Sequence, residues 1–110
     1  MLARRRLGSA GEELAAEHLR SLGYQVVDRN FRCRRGEIDL VCRRGSEVAL
    51  VEVKTRAGAS RGAPVEALDE RKRQAMAGTL AEYRAATGWR GRVRFKLVGI
   101  TLEVLDDVLA

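Results

Sequence analysis

Apolar residues recur along this chain in two rhythms, and the change from one to the other marks its elements. Between Gly11 and Leu22 they fall three and four apart, at Leu14, Ala15, His18, Leu19 and Leu22, which is the spacing of one helical face turned toward a sheet. Ser9 or Gly11 opens that helix, Glu12 and Glu13 occupy its first turn, where the helix dipole favours negative charge, and Gly23 closes it. Helical spacing returns at Val65, Leu68, Ala75, Met76, Leu80 and Tyr83, in a helix that starts at Pro64 and stops before Gly88. Lys72 lies on that inward stripe, where a lysine ordinarily extends its ammonium back to water. Four shorter stretches, Tyr24–Asp28, Gly36–Arg43, Glu47–Thr55 and Val93–Ile100, predict strands. A basic loop, Arg29–Arg35, and a glycine-bearing loop, Ala57–Ala63, separate them, and Leu102–Leu105 is a candidate for a small last strand. The order α-β-β-β-α-β predicts an α/β fold, a mixed sheet flanked by helices. It forms a single domain over residues 1–110, with residues 1–8 as a flexible basic arm.

Two of the predicted strands carry acids two residues apart inside apolar runs, in Gly36-Glu37-Ile38-Asp39-Leu40 and Val51-Glu52-Val53-Lys54. Residues so spaced share a face of a strand. Carboxylates set among apolar neighbours are costly unless they are paired or hold a cation. If Gly45 and Ser46 form a two-residue hairpin loop, Arg44 faces Glu47, and the register carries Asp39 opposite Glu52 and Glu37 opposite Lys54, all four on one face. A three-residue loop would place the two acid pairs on opposite faces. The bland alternative is structural: Glu37 pairs with Lys54, Asp39 pairs with an arginine, and Glu52 is solvated. Glu12 is in helical register with Ala15, Ala16 and Leu19, but spacing alone favours a simple dipole role for it. His18 is expected at the edge of the core.

Charge sharpens the picture. The chain holds 21 Lys and Arg against 15 Asp and Glu, a net charge of +6, and the excess lies in loops around the acidic strands. An acidic centre with a basic surround is the layout of a metal-dependent nuclease. With one Trp, two Tyr and two Phe, contacts to a nucleic acid would be made mainly through backbone phosphates. A charged fraction of 33% beside 45% hydrophobic residues excludes wholesale disorder. No apolar run approaches the roughly 20 residues that span a bilayer, and the start has no apolar stretch behind its arginines to form a secretion signal, so a cytoplasmic protein without a membrane partner is expected. Cys33 and Cys42 lack zinc-type spacing and are expected to be reduced thiols.

Gly11-Glu12, Gly23-Tyr24, Arg29-Asn30-Phe31-Arg32, Gly36-Glu37-Ile38-Asp39-Leu40 and Val51-Glu52-Val53-Lys54-Thr55-Arg56 together resemble the YraN family of small bacterial proteins. That family is similar in turn to the Holliday-junction resolvases and other PD-(D/E)XK nucleases of the restriction-endonuclease-like fold. The resemblance covers nearly the whole chain. It implies a Mg²⁺- or Mn²⁺-dependent endonuclease acting on DNA, with branched recombination or repair intermediates as candidate substrates and a homodimer as a candidate assembly. It also implies roles: Asp39 and Glu52 as catalytic metal ligands, Lys54 on the attacking water or the phosphate, and Glu12 reaching the metal from the helix. Arg32, Arg34, Arg35, Arg56, Arg61 and Lys72 are the candidate nucleic-acid contacts. One position departs from the family pattern, with Arg94-Phe95-Lys96 standing where Arg-Phe-Asp is usual. Two other functions stay open: a non-catalytic nucleic-acid-binding or repair-accessory protein of the same fold, and a protein-interaction domain whose basic charge is incidental.

Overall fold

The computed structural model describes residues 2–58 and 70–109, with side chains from Leu7 onward. Along the chain lie α1 (Leu2–Ser21), β1 (Gln25–Cys33), β2 (Gly36–Arg44), β3 (Glu47–Ala57), α2 (Glu70–Thr87) and β4 (Arg92–Leu102). The fold is α/β. Its four strands form one mixed sheet in the order β1-β2-β3-β4, in which β1, β2 and β3 are a meander of antiparallel neighbours and β4 joins β3 in parallel. A parallel neighbour cannot be reached by a tight turn, so the chain crosses over through α2 to place it. This element order and mixed sheet are the ones expected, and they are consistent with a nuclease-like fold.

Three elements differ in extent from the periodicity. Helix α1 begins at Leu2 and takes in the stretch expected as a basic arm, since Leu, Ala and Arg at positions 2–7 all favour helix strongly enough to carry it through Gly8 and Gly11. Glu12 and Glu13 consequently lie in mid-helix, the first turn holds no acid, and the dipole role is lost. The buried face is narrower than expected: Ala15, Ala16 and Leu19 are enclosed, whereas Leu14 and Leu22 are 55% and 47% exposed and His18 points to water. Strand β1 runs through Arg29–Cys33, so the predicted basic loop shrinks to a two-residue turn at Arg34 and Arg35 that brings Cys33 opposite Gly36. Strand β4 ends at Leu102, and residues 103–107 form no further strand. Pro64, Val65 and Leu68, expected in the second helix, lie outside the described residues.

The sheet separates two cores. Against α1 lie Leu40, Cys42, Ala49 and Val51, packed on Ala15, Ala16 and Leu19. Against α2 lie Ile38, Val41, Val48 and Leu50, closed by Tyr83, whose ring meets Phe31 edge-on at 5.4 Å between centroids. Leu40 and Ile38 are two residues apart yet belong to opposite cores, and so do their partners: Arg29 bonds Glu13 of α1 while Phe31 meets Tyr83 of α2. The pleat therefore inverts between them, at Asn30 on β1 and Asp39 on β2. Asn30 has φ of 53°, a left-handed conformation that asparagine adopts more readily than most residues. Both cysteines are free thiols, and burial pushes that of Cys42 up.

Close approach of α1 depends on Gly11. A Cβ at this position would stand 2.0 Å from Oγ1 of Thr55 on β3. Gly11→Ala should therefore destabilise the protein by about 1–3 kcal/mol through overpacking, although alanine is the better helix former. Thr55→Ala in the same chain should restore most of the loss. Urea unfolding of the two single variants and the double variant checks this, and a Gly11→Ala chain as stable as the parent would refute it.

Candidate metal and nucleic-acid site

The hairpin of β2 and β3 closes over Gly45 and Ser46 in the predicted register, from Arg44 opposite Glu47 to Leu40 opposite Val51. The expected pairs Asp39/Glu52 and Glu37/Lys54 lie just past its last rung. There the strands part, and the Asp39 carboxylate takes over as acceptor: the Val53 backbone amide donates to its Oδ2 at 2.7 Å. Asp39 thus occupies the seam between the two strands and accepts from backbone, with no arginine needed to hold it.

Burial raises the Asp39 carboxyl above its ordinary value, the Val53 amide pulls it down, and Glu52 and Glu37 push it up again while Lys54 opposes them. Glu12 approaches from α1. Its carboxyl is also raised, first by burial and then by the charges of Asp39 and Glu37, with Arg29 acting in the opposite sense. Glu12 thus feels Asp39 across the helix–sheet boundary, whereas Glu13 beside it is spent on Arg29. Glu52 differs. Burial raises it, but hydrogen bonding and charge from Lys72, with the charge of Lys54, outweigh burial and hold it low. The Lys54 ammonium lies 3.3 Å from its Oε1, and Lys72, from α2, reaches both oxygens at 3.1 and 3.0 Å. Lys72 thus turns to a carboxylate rather than simply to water.

These donors fit an open, water-rich cation site rather than a cage. Among the described residues no three His, Cys, Asp or Glu side chains stand close enough to enclose an ion. Mg²⁺ requires only one or two direct carboxylates and keeps its waters. Asp39 and Glu12 offer hard oxygens whose carboxyls are raised first by burial and further by neighbouring acids, while Glu52 would exchange its contact with Lys72 for one with a cation.

The candidate nucleic-acid contacts divide by position. Arg34 and Arg35 form the β1–β2 turn, and Arg32, opposite Glu37, is exposed just before it. Arg56 is half-buried near the end of β3, Lys72 is at Glu52, and Arg61 lies outside the described residues. Lys96 pairs with Val51 in the sheet, but its ammonium extends over the Tyr24 ring, 5.6 Å from the centroid, so the residue that departs from the family pattern serves the α1 side. There Tyr24 donates to Glu47, which Arg44 and Arg94 flank.

Sequence reasoning missed how α2 holds the basic turn. Glu82 accepts from the Arg34 backbone amide at 2.8 Å, and the Arg35 side chain crosses α2 at Gly78, where a Cβ would come within 2.1 Å of Nε. A glycine inside an otherwise good helix was the available signal.

The molecule is thus an α/β protein whose mixed sheet opens at one end around a carboxylate–lysine centre. The chain belongs to the uncharacterised protein family UPF0102, the YraN family, which it matches over residues 11–100. It is 41% identical over 108 residues to a UPF0102 protein of Moorella thermoacetica, covering 97% of this chain and 90% of the relative. With a UPF0102 protein of Clavibacter michiganensis subsp. michiganensis it shares 47% identity over 97 residues, 86% and 80% of the two chains. A third, from Herpetosiphon aurantiacus, is 40% identical over 105 residues, 91% and 85% of the two.

The carboxyl shifts have opposite consequences for stability in metal-free buffer. Asp39 and Glu12, raised in the folded chain, make it most stable below their ordinary values of 3.8 and 4.5, and that advantage is lost as pH rises through the folded values. Glu52, held low, stabilises above 4.5 and loses its contribution as pH falls through its folded value. Asp39→Asn keeps an acceptor for Val53 and removes the charge, so it should melt above wild type at pH 7, with the difference vanishing below pH 3.8. Calorimetry across this range checks the sign.

Proposed function

We propose that this protein is a Mg²⁺-dependent endonuclease acting on DNA phosphodiester bonds, with branched or otherwise non-duplex intermediates among its substrates. The observation that carries the reading is the seam itself, where the half-buried Asp39, its carboxyl raised by burial and by neighbouring acids, lies beside Glu52 and Lys54 at the point where β2 leaves β3. Asp39, with Glu52 once Lys72 lets go, would hold the ion, and Glu12 would add its charge from α1. When bound, such an ion acidifies a water and offsets charge on the phosphodiester. Lys54, 47% exposed and paired with Glu52, would turn its ammonium toward a phosphate oxygen, where charge builds in the transition state. Lys72, displaced from Glu52, brings a second cation to the same phosphate. The basic turn at Arg34 and Arg35, with Arg32 and Arg56, fixes the strand through its backbone.

A divalent-metal cleavage panel of linear, flapped and four-way DNA tests this. Asp39→Asn is the control of choice, since Asp39→Ala would also leave the Val53 amide unsatisfied, at a cost of about 1–3 kcal/mol. Asp39→Asn should abolish cleavage and preserve or strengthen binding, because it removes negative charge facing a polyanion. Lys54→Ala should slow cleavage by roughly 10²-fold. Equal cleavage by wild type and Asp39→Asn would refute the site.

Binding itself should be electrostatic. Raising salt from about 50 to about 200 mM should weaken DNA binding by roughly a hundredfold or more if four or five cations each contact a phosphate. Fluorescence anisotropy reads this slope, and binding indifferent to salt would favour a protein-interaction role instead.

A further inference from the structure

Beside Glu52 a cavity of about 190 Å³ opens between α2 and the sheet. Its walls include apolar groups from the sheet, Ile38, Leu50 and Phe95, and from α2, Ala75 and Met76. Glu37, Glu52 and Arg35 stand around it. The volume is small against the roughly 300–1,000 Å³ of pockets that enclose drug-sized ligands, and it suits one planar heterocycle. Arg35 is placed there by two features of α2. Glu82 holds the Arg34 amide, and Gly78 leaves the room its side chain fills, since a Cβ would come within 2.1 Å of Nε and 2.7 Å of Cζ. Glycine in a helix interior is a destabilising choice. Here it seats a cation in the lining of a largely apolar recess that the carboxylates share.

A largely apolar recess with Phe95 in its wall and Arg35 in its lining matches a nucleobase and the phosphate attached to it. A base paired and stacked in a duplex cannot enter such a recess. We infer that the cavity receives one unstacked base of the nucleic acid, with Arg35, seated on Gly78, on the adjoining phosphate, so that the site selects a strand whose base beside the carboxylates is unpaired. This rests on the nuclease reading and names its substrate class.

The test uses the full chain in EDTA with 2-aminopurine in three oligonucleotides: a single strand, a fully paired duplex, and a duplex holding the probe as an unpaired base. Anisotropy of a terminal dye reports total binding, and 2-aminopurine emission reports whether the base leaves its stack. Both unpaired substrates should bind roughly tenfold more tightly than the paired duplex, with emission rising on binding. Ala75→Leu, which fills the recess, should remove the emission change and the preference while leaving affinity for paired duplex unchanged. Gly78→Ala should melt at or above wild type, as a helix-interior glycine replaced by alanine, yet lose most of the preference because Arg35 is displaced. Equal affinity for paired and unpaired DNA, an emission change that survives Ala75→Leu, or a Gly78→Ala chain with the full preference would each overturn the inference. With metal restored, cleavage without any preference overturns the pocket and keeps the nuclease. A preference for unpaired bases without cleavage does the reverse.

Discussion

Where β2 leaves β3, a side-chain carboxylate replaces a backbone carbonyl as acceptor, and the acidic centre depends on this exchange between Asp39 and Val53. A strand that parts from its neighbour leaves amides without acceptors, and a buried amide without one is expensive. Asp39 answers that need at the cost of bringing its charge into partial burial beside two other acids. The carboxylate is thereby both a structural plug in the sheet and a source of unspent negative charge. Glu12, arriving on α1, adds to the surplus instead of relieving it. Glu52 is compensated most fully, by Lys54 and Lys72, whereas for Asp39 and Glu12 burial and neighbouring acids outweigh the Val53 amide, Lys54 and Arg29. The protein therefore holds one carboxyl low and two raised, an imbalance that a cation would lessen.

The order of the elements and the hairpin register were legible because they rest on local signals. Gly45 and Ser46 specify a tight turn, and a two-residue loop sets every pair that follows it up to Leu40 and Val51. Strand parity then fails at Asp39, because the pleat inverts there with the left-handed Asn30 opposite. No period-two pattern announces a backbone inversion. The extent of β1 was missed for a related reason: arginines alternating with Asn30 and Phe31 resemble a loop until β2 is in place to pair with them. Glu12 was only half legible. Its register with Ala15, Ala16 and Leu19 pointed inward, yet its role turned on where the helix begins, and the long start at Leu2 is set by propensity rather than by a cap.

Helix α2 explains how a small protein can organise a site that its sheet only begins. One face carries Lys72 to Glu52, Ala75 and Met76 to the cavity wall, and Gly78 beneath Arg35, while Glu82 and Tyr83 secure the turn and β1 from the same helix. The turn of Arg34 and Arg35 is short and exposed, and left to itself would sample many directions. Anchoring its backbone at Arg34 and its side chain at Arg35 lowers the entropy that a ligand would otherwise have to remove on binding.

The parallel pairing of β3 with β4 also bears on how the chain assembles. The meander of β1, β2 and β3 closes through two-residue turns, contacts of short range that form quickly, whereas β4 reaches β3 only after a long crossover that must first lose its loop entropy. Until then β3 is an unprotected edge, and Val48, Ala49, Leu50 and Val51, all nearly inaccessible in the finished fold, form an uncharged, β-prone run open to a second chain. During synthesis this segment leaves the ribosome well before its partner does. The vulnerable moment of this protein is therefore its unfinished state, in which aggregation competes with the arrival of β4.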